Sequence, residues 1–303
     1  MVSFRTWLTA SRALFSVTVV LPCVLGAAIA FHDGYTNIPF FLMALAGLFF
    51  GNIGANFTND YYDHKSGVDS LDQGGRQFKQ GSEVLLKDGL TYGIVVDSMA
   101  GSFLAAAAIG VYLAIFDDWR IVLFALAGFA IAYFYTAPPV KLGYRGLGEV
   151  ASGLGSGPIP VLGTYFALTH KIGADAVVAS ACVGILVASI LYIGNVIDDD
   201  ADRRVGKRTL TVRLGRKAVR VLGLAFYGAA YLVLAAGVLT GLLPPWSLLG
   251  LLTLPFAVKL LRLTSKNFEN IPAYAPSIMM TVKVFGATTL LMAVGFVIST
   301  LLR

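Results

Sequence analysis

Long apolar runs recur along this chain, separated alternately by short and by longer polar breaks. They lie near 13–31, 38–56, 92–116, 120–137, 148–169, 174–195, 218–241, 245–262 and 275–301. A helix needs about 20 apolar residues to cross a bilayer, so the pattern predicts about nine transmembrane helices. The run at 245–262 is short and interrupted by Pro255. Short alternating segments, the mark of a membrane β-barrel, are not what these Leu-, Ala- and Gly-rich runs show. The expectation is an all-α integral membrane protein, 1–303 forming a single transmembrane domain.

Composition agrees. Of 303 residues, 57% are hydrophobic and 13% charged, and the mean hydropathy is +0.76. Soluble domains carry about 25% charged residues. The 33 glycines suit close helix–helix approach in lipid, where small residues let backbones pack. The first run follows Arg5 and Arg12 and ends near Ala27-Ala28-Ile29-Ala30. It reads as a first membrane span, not as a cleaved leader. Cys23 and Cys182 fall inside apolar runs and read as small core residues. The three histidines lack metal-ligand spacing, and only His64 lies beside a polar motif.

Charge sets the orientation. With the amino terminus in the cytoplasm, the linkers near 57–91, 138–147, 196–217 and 263–274 share that side. They and their flanks hold most of the 23 basic residues, while Arg120, Lys171 and Arg303 fall opposite. This is the positive-inside pattern. The net charge of +6 then reflects topology and an anion site, not nucleic-acid binding. Eight of the 17 acids, Asp60, Asp63, Asp69, Asp72, Asp198, Asp199, Asp200 and Asp202, lie in or beside two of these inner linkers. A cell-membrane, multi-pass protein with its active site facing the cytoplasm is expected.

Those acids end two apolar runs, as Asn56-Phe-Thr-Asn59-Asp60-Tyr-Tyr-Asp63 and Asn195-Val-Ile-Asp198-Asp199-Asp200-Ala-Asp202. Carboxylates at the mouth of a hydrophobic segment are costly and mark function. Asn56, Asp60 and Asp63 share one helical face, as do Asn195, Asp198 and Asp202. Two facing stripes of hard oxygen ligands suit Mg²⁺, which prefers one or two carboxylates together with phosphate oxygens. Lys207 and Arg208 follow the second stripe and suit phosphate oxygens. A third polar stretch runs from Tyr133 through Tyr135, Pro138-Pro139, Lys141, Tyr144 and Arg145 to Glu149. Its aromatics can line a substrate entrance and stabilise a cation through their π faces, or form an interfacial belt.

With these motifs in place, the chain resembles the UbiA-type intramembrane aromatic prenyltransferases. The resemblance rests on Asn59-Asp60-Tyr61-Tyr62-Asp63 continuing to Asp69, on Tyr135-Thr136-Ala137-Pro138-Pro139, and on Asn195 to Asp202 with Gly206-Lys207-Arg208-Thr209-Leu210. It implies nine helices around a cavity, two Asp-rich motifs binding Mg²⁺, and loops capping a prenyl diphosphate. Carried over by position, Asn56, Asp60, Asp63, Asp198 and Asp202 would hold the metal. Asn59, Lys65, Asp69, Lys141, Arg145, Asn195, Lys207 and Arg208 would bind the substrate, with Tyr135 beside the allylic cation. Arg12, expected among the substrate-binding residues too, sits where the family often has Arg-Pro, but Ala13 follows it here.

Within the family, the first motif and Gly74-Gly75-Arg76…Gln80-Gly81-Ser82 look most like the members that prenylate 1,4-dihydroxy-2-naphthoate for menaquinone, and are similar to animal vitamin K₂-forming relatives. The expected partners are a polyprenyl diphosphate, an aromatic acceptor and the bilayer. Other acceptors on the same chemistry remain open: 4-hydroxybenzoate, homogentisate, haem or geranylgeranylglyceryl phosphate. A cation-coupled transporter would place its acids near the midplane on broken helices, not at one face. A non-catalytic lipid-binding scaffold has no need of so many metal-type ligands.

Overall fold

The computed structural model describes residues 7, 8, 10–12, 16–66 and 91–303. Asp69, Asp72 and the 74–82 stretch lie outside the described residues. Among those described, every regular element is helical: α1 Val17–His32, α2 Ile38–Ser66, α3 Tyr92–Phe116, α4 Ile121–Phe134, α5 Gly148–Ser156, α6 Pro158–Thr169, α7 Ala174–Arg204, α8 Leu210–Leu214, α9 Val219–Leu239, α10 Leu254–Asn267, α11 Ile271–Tyr274 and α12 Pro276–Leu301.

Among the described residues helices occupy the expected runs in order, but the count of nine full-length spans is not reproduced. Six segments are long and apolar enough to cross a membrane: α2, α3, α7, Arg216–Leu239, Pro245–Asn267 and Ile271–Leu301. Helices α1 and α4 are shorter and apolar. The run expected at 148–169 is broken into α5 and α6 at Gly157. Pro158 and Pro160 cannot donate to the preceding turn, so the helix restarts there. The run at 245–262 opens as a 3₁₀ stretch, Pro245–Thr253. Pro255 falls in the first turn of α10, where its missing N–H has no helical partner to lose.

Helix α7 is the axis of the bundle. It packs against α5, α6, α9 and α12, and its Leu186, Tyr192, Ile193 and Val196 are fully buried. Close approach of α7 to the α5–α6 break depends on glycine. A Cβ on Gly157 would lie 2.4 Å from the Gly184 Cα, and one on Gly153 would lie 2.8 Å from the Gly184 carbonyl oxygen. Without large side chains at this crossing, the broken span lies flush on α7 and leaves room on its other side.

That room is a cavity of about 870 Å³, walled by faces of α1 to α7. Its walls are mostly apolar: Ala44, Gly47, Leu48, Phe103, Ala107, Phe124, Phe129 and Ile159. Leu113 and Ile121 lie at its far end with Phe124 and Met43. Asn52, Asn56, Asn59 and Tyr135 line it toward the end that carries the two acidic motifs. Gly157→Ala should overpack the α5–α6/α7 crossing and cost about 1–3 kcal/mol of stability. Thermal unfolding in detergent tests this, and an unchanged midpoint would show that the crossing tolerates a methyl group.

Candidate active site

Helix α2 begins under a side-chain cap, the Phe40 N–H donating to Asn37 Oδ1 at 3.1 Å. It then runs without interruption to Ser66, carrying Asn52, Asn56, Asn59, Asp60 and Asp63. Helix α7 ends differently. Gly206 takes a positive φ of 73°, its N–H bonds the Arg203 carbonyl, and the Lys207 N–H bonds the Asp202 carbonyl at 2.9 Å. This is a Schellman cap, and it needs a residue free to adopt the left-handed conformation. The turn folds Lys207 back over the helix end, so its Nζ reaches Asp202 Oδ1 at 3.3 Å.

The two stripes meet through a tyrosine. Tyr144 donates from its hydroxyl to Asp63 Oδ1 at 2.8 Å and sits 2.9 Å from Ser66 Oγ. The Lys207 ammonium lies 5.5 Å from the centre of the Tyr144 ring, and the Lys141 ammonium 5.2 Å from it. Asp63 on α2 and Asp202 on α7 are thus joined through Tyr144 and Lys207. Burial opposes the Lys207 charge, but Asp63, Asp202 and Asp198 outweigh it and hold the amine protonated above the ordinary lysine range. Burial, reinforced by Asp63, raises the Tyr144 phenol, so it stays a donor.

Two inner linkers are stitched together over this point. Arg208 donates its N–H to the Tyr144 carbonyl at 3.0 Å. Arg213 donates to the Arg208 carbonyl from Nε at 3.1 Å and to the Arg145 carbonyl from Nη2 at 2.5 Å. Gly146 leaves space for that guanidinium: a Cβ there would lie 2.7 Å from Arg213 Nε.

The remaining predicted residues divide. Asp60 is buried and pairs with Arg12. Asn56 donates its amide to the Ser11 carbonyl at 2.9 Å, which turns its carbonyl oxygen the other way. Asn59 Oδ1 accepts from Thr136 at 3.1 Å and lines the cavity. Tyr135 packs its ring on Gly143 and Gly148 at the cavity wall. Asn195 is buried and donates to Glu149 Oε1 at 3.0 Å. Lys65 and Arg145 are not drawn to the acids: Lys65 is exposed over the Tyr61 ring, and Arg145 donates to the Pro139 carbonyl at 2.9 Å. Arg208 is exposed. Asp199 and Asp200 leave the site to pair with Arg203 and Arg216.

Among the described residues, no three His, Cys, Asp or Glu side chains converge into a ready metal cage. The donor set nevertheless fits magnesium. Asp202 is fully buried, and neither of its carboxylate oxygens makes a hydrogen bond, the Lys207 ammonium being its ion-pair partner. Such a group calls for a cation. Magnesium needs only one or two protein carboxylates when a diphosphate supplies the other oxygens.

The sequence pattern names Tyr144 only as one of several aromatics at a substrate entrance, and gives Arg213 no role. The aromatic beside Lys141 was a visible signal for Tyr144, whereas nothing distinguished Arg213 from other topology charges. Glu149, a buried acid behind Asn195, was visible only as an acid at the start of a span.

Carboxylates and ammonium groups gather where a long apolar chamber opens, which gives an intramembrane cavity with one charged and one apolar end. The UbiA prenyltransferase family profile matches residues 19–281, and this chain belongs to that family. It is an enzyme, a multi-pass membrane prenyltransferase. The chain is 30% identical over 303 residues to the 1,4-dihydroxy-2-naphthoate octaprenyltransferase of Escherichia coli, covering 97% of this chain and 96% of that one. It is 32% identical over 263 residues to the Mycobacterium tuberculosis protein of the same name, covering 86% of each. The fold is shared with a UbiA homolog from Aeropyrum pernix at TM-score 0.70 and 17% identity, covering 95% of this chain and 98% of that one. It is also shared with an Archaeoglobus fulgidus homolog bound to GPP and Mg²⁺, at TM-score 0.63 and 15% identity, covering 95% and 99%.

Lys207→Met should leave Asp63 and Asp202 without their shared counter-charge. The Lys207 amine is raised, so its stabilisation is complete below the ordinary lysine value of about 10.4 and is lost only as pH rises past the folded value. The wild type therefore keeps it from pH 5 to 8. The variant should lose up to about 3–5 kcal/mol, more at pH 8, where the stripped acids stay charged, than at pH 5. Thermal unfolding at the two pH values reads this, and an unchanged or raised midpoint would contradict the bridge.

Proposed function

We propose that this chain transfers a polyprenyl group from its diphosphate to 1,4-dihydroxy-2-naphthoate, at a site facing the cytoplasm and through an allylic cation. Residues 1–303 form one transmembrane catalytic unit in this reading. The observation that carries it is the junction of Asp63, Tyr144, Lys207 and Asp202 at the mouth of the apolar cavity. The names of the bacterial relatives support the naphthoate acceptor, and the ligands of the Archaeoglobus structure support a prenyl diphosphate with Mg²⁺.

In this mechanism Asn56, Asp60, Asp63, Asp198 and Asp202 would hold magnesium, whose bound charge would help neutralise a departing diphosphate. Asn56 offers a carbonyl oxygen because its amide nitrogen is committed to Ser11. Lys207 and Lys141 supply positive charge to the diphosphate oxygens and stabilise charge as it develops on the leaving group. The allylic C–O bond breaks, diphosphate takes the electron pair, and the cation is left beside Tyr135, whose ring face stabilises it. Apolar walls exclude water from the cation. The electron-rich ring forms the new C–C bond at the carbon bearing the carboxylate. Carbon dioxide then leaves, returning its bonding pair to the ring, so the balance needs no ring proton.

Asp60→Ala and Asp198→Ala should each abolish Mg²⁺-dependent turnover. The assay offers purified protein several prenyl diphosphates with each aromatic acceptor, with Mg²⁺ or with chelator, and weighs products by mass spectrometry. Near-normal activity in either variant would remove that residue from the mechanism. Alkylation of 4-hydroxybenzoate in place of the naphthoate would overturn the acceptor.

A further inference from the structure

Asn52 lies one turn deeper on α2 than Asn56 and two turns deeper than Asn59, facing a chamber that is otherwise largely hydrocarbon. Seven residues of helix separate it from Asn59, a depth of roughly 10 Å. A carboxamide at that depth must be satisfied, and its oxygen is met once from the start of α1 and once from α2 itself. Ser16 donates to Asn52 Oδ1 at 3.1 Å, and Asn56 Nδ2 approaches the same oxygen at 3.4 Å. Ser16 is buried.

These contacts orient the amide unambiguously. The Ser11 carbonyl can only accept, so it fixes the Asn56 amide with Nδ2 toward it. Asn56 then presents a donor to Asn52, which must answer with its oxygen. The Asn52 oxygen is therefore taken by two donors, and the Asn52 NH₂ is left facing the cavity. Among the described residues it meets no acceptor. A free pair of N–H donors in an apolar chamber selects for a ligand oxygen, and a site built to hydrogen-bond an oxygen rejects analogues lacking it. A prenyl chain carries none. An aromatic acceptor bearing hydroxyl or carboxylate oxygens does.

We infer that Asn52 is a specificity-determining residue that binds a ring oxygen of the aromatic acceptor and orients its reacting carbon toward the diphosphate end of the cavity. The inference rests on the prenyl-transfer reading and names the element that recognises its second substrate. The backbone carbonyl of Ser11 sets the direction of that recognition through two successive amides.

The test compares Asn52→Asp and Asn52→Leu with wild type, varying donor and acceptor separately. Asn52→Asp keeps an oxygen for Ser16 and Asn56 but replaces the donor NH₂ with an anion. It should raise the acceptor KM about a hundredfold, by repulsion as well as loss. Asn52→Leu should raise it about tenfold, the weight of one good hydrogen bond. The donor KM should stay within a factor of two in both. The Mg²⁺ concentration for half-maximal thermal stabilisation by a non-hydrolysable prenyl diphosphate should also stay unchanged, and this reading needs no turnover. An acceptor KM equal to wild type in a folded, active variant would overturn the inference alone. A parallel fall in kcat with both KM values unchanged would also overturn it, by assigning Asn52 a structural role. Failure of wild type to alkylate any oxygenated aromatic would overturn the prenyl-transfer reading and this inference with it.

Discussion

Carboxylates at the ends of membrane helices must find positive charge or hydrogen-bond donors, and that constraint organises this protein. Asp63 and Asp202 belong to helices far apart in sequence, yet one phenol and one ammonium serve both. Lys207 is held at that point by the cap of α7, and Tyr144 by the linker that Arg208 and Arg213 fasten from above. Asp60 meets the same demand separately, through Arg12 at the turn before α1. Four positions in the chain, near 12, 60, 144 and 207, thereby converge on one end of the bundle. These internal pairings let so acidic and so basic a mouth lie beside lipid.

Behind the mouth, the cavity exists because side chains are withheld. Gly153, Gly157 and Gly184 let the broken span lie directly on α7, and small residues along α2 and α3 face inward. In water such a chamber would collapse under the hydrophobic effect. Within a bilayer, helix association depends on close packing and hydrogen bonds, so a lumen of this size suits a hydrocarbon occupant. Polar groups are correspondingly few on its wall, and the orientation of each carries information. The sequence Ser11, Asn56, Asn52 shows how a backbone carbonyl can set the hydrogen-bonding sense of a side chain well inside the chamber.

Much of this was legible beforehand. Span order followed from the hydropathy pattern, because a bilayer enforces length and apolarity on each helix independently of its neighbours. The one-faced stripes Asn56–Asp60–Asp63 and Asn195–Asp198–Asp202 followed from helical period alone. Less was legible where a residue's role depends on a partner distant in sequence. Lys65 and Arg145 sit as close to the motifs as Lys207 does, and composition could not separate them. Lys65 turns to Tyr61 and Arg145 to its own linker. The span broken at Gly157 was also missed, since apolar content is blind to a missing backbone donor.

The amino-acid sequence by itself determined what each segment must do against lipid and which segments carry charge at their ends. Those are properties of local composition and period, decided by transfer from water to hydrocarbon. Only the tertiary structure decided which charges meet, which amide faces the lumen, and where the chamber opens. Coulomb attraction and hydrogen bonding act over a few ångströms, and chain spacing does not reveal which groups folding will bring that close.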